Sequence, residues 1–213
     1  TKTETATRVR QRIEAVLSWA SVHGHRSGEN PARWKGNLDA VLPAPTKVSK
    51  VEHHRAMPMD DMHDFMLALE KRKGIAPRCL AFVILTAVRS GEARAATWDE
   101  IDLAEKVWTI PGDRMKAGRE HRVPLSAPAV ELLEALPRFA GCNLIFPNTQ
   151  GRKLSDATLA AVLKRMKLHE TATVHGFRST FRDWAAERTS TPHHVAEMAL
   201  AHTIKNHAEA AYR

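Results

Sequence analysis

Cys79 to Val88, CLAFVILTAV, is an apolar run broken only by Thr86, and it stops against Arg89, Ser90 and Gly91. It has about half of the ~20 residues that a bilayer span requires. No part of this chain is therefore expected to cross a membrane, and the run reads as the central helix of a folded core, covered on all sides by other elements. The guanidinium at its end is a second constraint, because a charge at the margin of a core needs a partner. Glu92, three residues on, could supply one, or Arg89 could await an anion such as phosphate, which a guanidinium binds in bidentate fashion.

The 213 residues allow one domain of ordinary size plus part of another. Lys and Arg number 32 against 24 Asp and Glu, a net charge of +8, and 43% of residues are apolar. Such a chain is globular, and an acidic, fibrous or disordered protein is excluded. Cys79 and Cys142 lie far apart and fit neither a CxxC metal pair nor a disulfide framework, which points to a reducing, cytoplasmic compartment. The chain opens at Thr1 without an initiator Met and stops at Arg213, directly after Tyr212, and so reads as a fragment of a longer protein.

Between about Thr3 and Ala20, residues Val9, Ile13, Val16, Leu17 and Ala20 recur at helical spacing with Arg8, Arg10 and Arg12 on other faces, which predicts an amphipathic helix with a basic side. The stretch Leu42 to Lys50 has two prolines and no apolar periodicity and reads as a linker. The expected division is a partial helical domain over 1–43, a linker over 44–56 and a second domain over 57–213. The first is too short to bury a core comfortably and reads as the remnant of a truncated domain. In the second, helices are expected from Asp60 to Lys73, ended by Gly74, and from Pro77 to Val88. β-type runs follow at Glu100–Leu103, Lys106–Ile110 and His121–Leu125, forming a small antiparallel sheet. Further helices are expected from Ser126, Ser155, Val174, Pro192 and Asn206. The fold class is α+β, mainly α-helical.

Three further features could carry chemistry. In His175-Gly-Phe-Arg178, a spacing of three puts imidazole and guanidinium on one helical face, with Phe177, Phe181 and Trp184 turned to the core. His175 near a helix start would also offer an anion unpaired N–H groups. An exposed basic face explains the same residues. Leu200-Ala-His202 is followed ten residues later by Tyr212, the one tyrosine of the chain, and Lys116 lies in a polar turn between two strands. Alone, the tyrosine reads as packing and the lysine as a solvated charge. Asp60, Asp61, His63 and Asp64 are explained by the preference of acidic residues for a helix's first turn. The adjacent pairs His53-His54 and His193-His194 read as surface residues, and the five tryptophans as core or interdomain packing. No metal site is read.

In chain order these features resemble the tyrosine recombinase (phage integrase) family. LTAVRSGEARAATWDEID is similar to the family's first arginine box, Lys116 to its hairpin lysine, VHGFRSTFRDW to its HxxR box, and ALAHTIKNHAEAAYR to its His-to-Tyr box. The nearest group resembles the integrases of satellite phages and genomic islands. Ala201 departs from relatives that have Gly before the third-box histidine. The resemblance implies the tyrosine recombinase catalytic fold, preceded by part of a core-binding domain. It also implies cleavage and rejoining of DNA through a 3′-phosphotyrosyl intermediate, without metal, ATP or another cofactor. Tyr212 is the expected nucleophile, and Arg89, Arg178 and His202 the expected stabilisers of phosphate charge. Lys116 is the expected general acid and His175 the general base, with Glu92 holding Arg89. Lys47, Lys50 and Arg55 could follow a DNA backbone, for which the basic balance is suited. Expected partners are double-stranded attachment sites and accessory proteins that direct excision. A tetramer on DNA is expected of the full-length protein and a monomer of this fragment. A type IB topoisomerase and a non-catalytic DNA-binding regulator are the alternatives.

Overall fold

The computed structural model describes residues 2–48 and 54–202. The chain divides into two compact units between His53 and His54.

The first unit is built on one long helix, α1 (Lys2–Val22), a short turn of 3-10 helix at Leu38–Ala40 and a four-residue helix α2 (Pro45–Val48) that packs against α1. The last of these falls within the stretch expected as linker. Polar groups rather than apolar ones fasten the return of the chain to α1. The Asn30 amide donates to the Glu14 carbonyl (2.9 Å) and the Ser18 hydroxyl (2.8 Å), and Arg10 Nη1 donates to the Ala32 carbonyl (2.6 Å). The apolar stripe of α1 is not buried within this unit, where Val16 and Trp19 are 65% and 56% exposed. Trp19 stacks on His23, ring centroids 4.1 Å apart, and is not part of a core within this unit.

The second unit opens with a 3-10 turn at Met59–Asp61 and α3 (Met62–Glu70). A 3-10 turn followed by a shorter helix thus replaces the single helix expected from Asp60 to Lys73. Gly74, at φ 102° in a region L residues rarely enter, reverses the chain into α4 (Ile75–Thr86). This helix is the centre of the second unit, as its composition demands. It packs against α3, α6 (Ala127–Glu134) and α7 (Asp156–Arg165), and against α5 (Ser90–Arg94), which follows it directly. Phe82 sits between Trp108 and Phe146, at centroid distances of 5.2 and 5.4 Å, and all three are fully buried. Burial of side chains this large contributes about 1.5–3 kcal/mol each.

Trp108 belongs to a three-stranded antiparallel sheet of β1 (Ile101–Asp102), β2 (Val107–Ile110) and β3 (His121–Pro124), in that order. The register pairs Trp108 with Val123 and Ile110 with His121, so His121 lies on the core-facing side of the sheet at its edge. The remaining helices are α8 (Gly176–Arg188) and α9 (His193–Ala199), which pack together. Of the aromatics expected to face the core from α8, Phe177 does and stacks on Phe65, whereas Trp184 is 47% exposed, a correction. The helix expected from Asn206 lies outside the described residues. Among the described residues, no helix is long and apolar enough to cross a membrane.

Candidate active site

The site is assembled where chain direction changes abruptly. Helix α4 ends because Ala87 adopts the left-handed conformation (φ 52°), and the extended backbone of Arg89 then starts α5 at a new angle. The carboxylate of Glu92, buried at 6% exposure, accepts the Arg89 backbone N–H (2.8 Å) and its Nη1 (3.0 Å). One acidic side chain thus caps the new helix and aims the guanidinium. The ion pair and the anion site weighed for Arg89 are therefore compatible, since Nη2 points away from Glu92 to the Ala201 carbonyl (3.4 Å).

Arg178 comes from the first turn of α8 and is buried, 5% exposed, not part of a solvated basic face. Its Nη1 donates to the carbonyl of Ala87, and its Nη2 to the carbonyl of Leu200 (2.6 Å), with His202 Nε2 at 3.2 Å. Its buried Nε finds no hydrogen-bond partner among the described residues. Burial, and then the neighbouring Arg89 charge, pull its pKa down to about 10, opposed by Glu92 and Glu197, so it is charged at neutral pH.

Helix α9 ends as α4 does, in a left-handed alanine, Ala201 (φ 48°). Glycine enters that conformation more readily than alanine does. His202 Nδ1 lies 2.8 Å from Glu197 Oε2. Burial would raise the Glu197 carboxyl, but the hydrogen bond and charge of His202, with Arg182 and His193, hold it below its ordinary value.

His175 occupies the N-cap position of α8. Its pKa is lowered, first by burial and then by the charges of His54, Arg178, Arg89 and His202, so the ring is neutral at pH 7. His54, exposed as expected of a surface histidine, packs edge-on against it at 4.7 Å and so adjoins this cluster. The helix start is fixed by a close approach. Thr173 accepts the Gly176 N–H (3.0 Å), and the Arg55 carbonyl passes so near that a Cβ at Gly176 would lie 1.9 Å from it.

Sequence reasoning passed over His121 as well as His54. His121 is the first residue of β3, and its pKa is lowered by burial, against the pull of Glu92, with Arg89 and Arg178 adding repulsion. The nearby Ala199 backbone favours the protonated ring. The alternation of His121, Val123 and Leu125 in HRVPL was the available signal, since it puts an imidazole on the buried side of a strand. Two consecutive carbonyls, of Leu200 and Ala201, are thus held by Arg178 and Arg89.

The other expected residues stand apart from this cluster. Lys116 is exposed in the loop joining β2 and β3, and no contact ties its side chain to the cluster among the described residues. Lys47 is exposed in the last turn of α2. Arg55 pairs with Glu170, Nη1 to Oε2 2.9 Å. Lys50 and Tyr212 lie outside the described residues.

Residues 55–213 match the Phage integrase family, and residues 1–37 the Phage integrase central domain. Prophage integrase IntA of Escherichia coli (strain K12) is 33% identical over 98% of this chain and 50% of its own length. The integrase of Enterobacteria phage P4 is 30% identical over 99% and 51%. The chain therefore spans about half the length of the curated relatives it matches. A lambda integrase dimer bound to a COC′ core site shares the fold with a TM-score of 0.68 at 18% identity, over 96% of this chain and 74% of that one. The Tn1549 transposon integrase in complex with transposon right end DNA does so with a TM-score of 0.68 at 16% identity, over 94% and 72%. With the catalytic fold of those enzymes and a sequence match over most of its length, the chain belongs to the phage integrase family of tyrosine recombinases.

Proposed function

We propose that this chain is the catalytic part of an integrase that cleaves and rejoins double-stranded DNA at specific sites to move a mobile element. Residues 1–43 would contribute part of a core-binding domain, 44–56 the connection, and 57–213 the chemistry. The observation that carries the reading is the meeting of Arg89 and Arg178 with three imidazoles, His121, His175 and His202, at chain reversals drawn from distant parts of the sequence.

The Tyr212 phenol oxygen attacks the scissile phosphorus and the bond to the 5′ oxygen breaks. The phosphate remains joined to tyrosine at the 3′ end, so the bond energy is kept for rejoining. The guanidinium groups of Arg89 and Arg178, with an N–H of His202, face the charge that gathers on the non-bridging oxygens. His175, neutral at pH 7, accepts the phenol proton, and Lys116 protonates the leaving oxygen. The lambda integrase relatives are a dimer on a core site and a tetramer on a Holliday junction. Assembly of four protomers on paired sites, with excision-directing accessory proteins, is the corresponding reading for the whole protein.

Covalent capture tests it. The protein and its Tyr212→Phe variant are incubated with nicked, fragmented DNA from the source genome, denatured, and the attached DNA sequenced. An adduct that needs Tyr212 and maps to one locus is the expected result. Scattered adducts would replace it with topoisomerase-like cleavage, and salt-sensitive binding without adduct with a DNA-binding regulator.

A further inference from the structure

The loop carrying Lys116 is fastened to the arginine site by a residue with no assigned part in the reaction. Residues 112–114 form a turn of 3-10 helix, and Gly112 runs so close to the other side of the loop that a Cβ there would meet the Gly118 carbonyl at 2.9 Å. Met115, next to Lys116, is 7% exposed and anchored in the core. Arg114 holds the loop with both arms of its fork. Nη1 pairs with Glu100, whose carboxylate also accepts Trp108 Nε1 (3.0 Å), and Nη2 donates to the Glu92 carbonyl (2.6 Å). Glu92 therefore holds Arg114 through its backbone and Arg89 through its carboxylate. A planar guanidinium with two fixed partners transmits position better than a single flexible ammonium could.

We propose that Arg114 is a positioning residue, which sets Lys116 at a fixed offset from Arg89 so that its ammonium reaches the leaving 5′ oxygen. The inference rests on the general-acid reading of Lys116 and adds to it the residue that makes the lysine effective. When the phosphorus–oxygen bond breaks, the electron pair stays on the 5′ oxygen and the Lys116 proton moves to it. If sulfur replaces that oxygen, the thiolate departs without a proton, so any residue acting through the general acid becomes dispensable.

The test uses a duplex carrying the site mapped by covalent capture, with either oxygen or sulfur at the bridging 5′ position. Adduct formation is timed for the wild type, Arg114→Ala, Arg114→Lys and Lys116→Ala. Arg114→Ala is expected to cleave the oxygen substrate about 10²-fold more slowly, the scale of lost acid catalysis, and the sulfur substrate at nearly the wild-type rate. Arg114→Lys should recover little on oxygen. Slowness on both substrates while Lys116→Ala is rescued by sulfur would overturn the inference, as would no loss on either. If Lys116→Ala is itself not rescued, the general-acid reading fails first. Thermal unfolding and salt-dependent DNA binding of Arg114→Ala identify a folding defect, which would slow both substrates alike and so counts against positioning.

Discussion

Arg178 holds two backbone carbonyls from different elements while it is nearly inaccessible to water, so its removal acts on folding as well as on chemistry. Leaving both carbonyls without a donor costs about 3 kcal/mol, and Arg178→Ala should show that loss in urea unfolding. Arg89→Ala removes the cation facing the buried Glu92 carboxylate and should also destabilise, by about 3 kcal/mol. The histidines give a pH dependence of definite sign. His175 and His121 both titrate below the ordinary value of about 6.5 when folded, so the unfolded chain binds more protons in that window. Their contribution is complete above 6.5 and is lost as pH falls through the lowered values. An NMR titration should place the His175 inflection below 6.5, and His54→Gln should move it upward, because the His54 charge is the largest cause after burial. The pairing of Arg89 with Glu92 was legible in a spacing of three. The part played by His121 depends on a strand register and on a turn almost eighty residues later, and no local pattern states that.

At the scale of elements, the contact of α8 with the chain entering the second unit admits no side chain. A methyl group at Gly176 would overlap backbone atoms of Arg55, which no rotamer change relieves. Gly176→Ala should destabilise by about 3 kcal/mol in chemical denaturation, as overpacking of a rigid contact does. Gly36→Ala, in open space but at φ 75°, should cost about 1 kcal/mol through backbone strain alone. The central helix, the hairpin and the helices after Ser126 and Ser155 could be read from apolar periodicity and capping residues, because their burial is set by their own composition. Helix α5 could not, since Ser90–Arg94 is too short for a period and exists because Glu92 caps it. Likewise α8 starts at Gly176 rather than Val174, where the Thr173 hydroxyl, itself held by the Arg55 carbonyl, caps it.

For the whole molecule, the net charge of +8 predicts DNA affinity that falls steeply with salt. Lys47→Ala should reduce the slope of log K against log salt by about 1 if that lysine contacts a phosphate. Arg55→Ala should change it less, because Glu170 already neutralises that guanidinium. Binding isotherms across a salt series measure both. The apolar stripe of α1 shows the limit of reading amphipathicity as burial, for the periodicity is present and the first unit by itself does not cover it.

The adjacent carbonyls of Leu200 and Ala201 have a consequence for how an anion would enter. Donors already engaged with backbone oxygens gain little in hydrogen-bond number when phosphate oxygens replace them. Occupation of the site is then an exchange, and its direction is set by the full charge of an oxyanion against the partial charge of a carbonyl. The same exchange would release the Leu200–Ala201 turn from both guanidinium groups, so arrival of an anion and loosening of that turn become a single event.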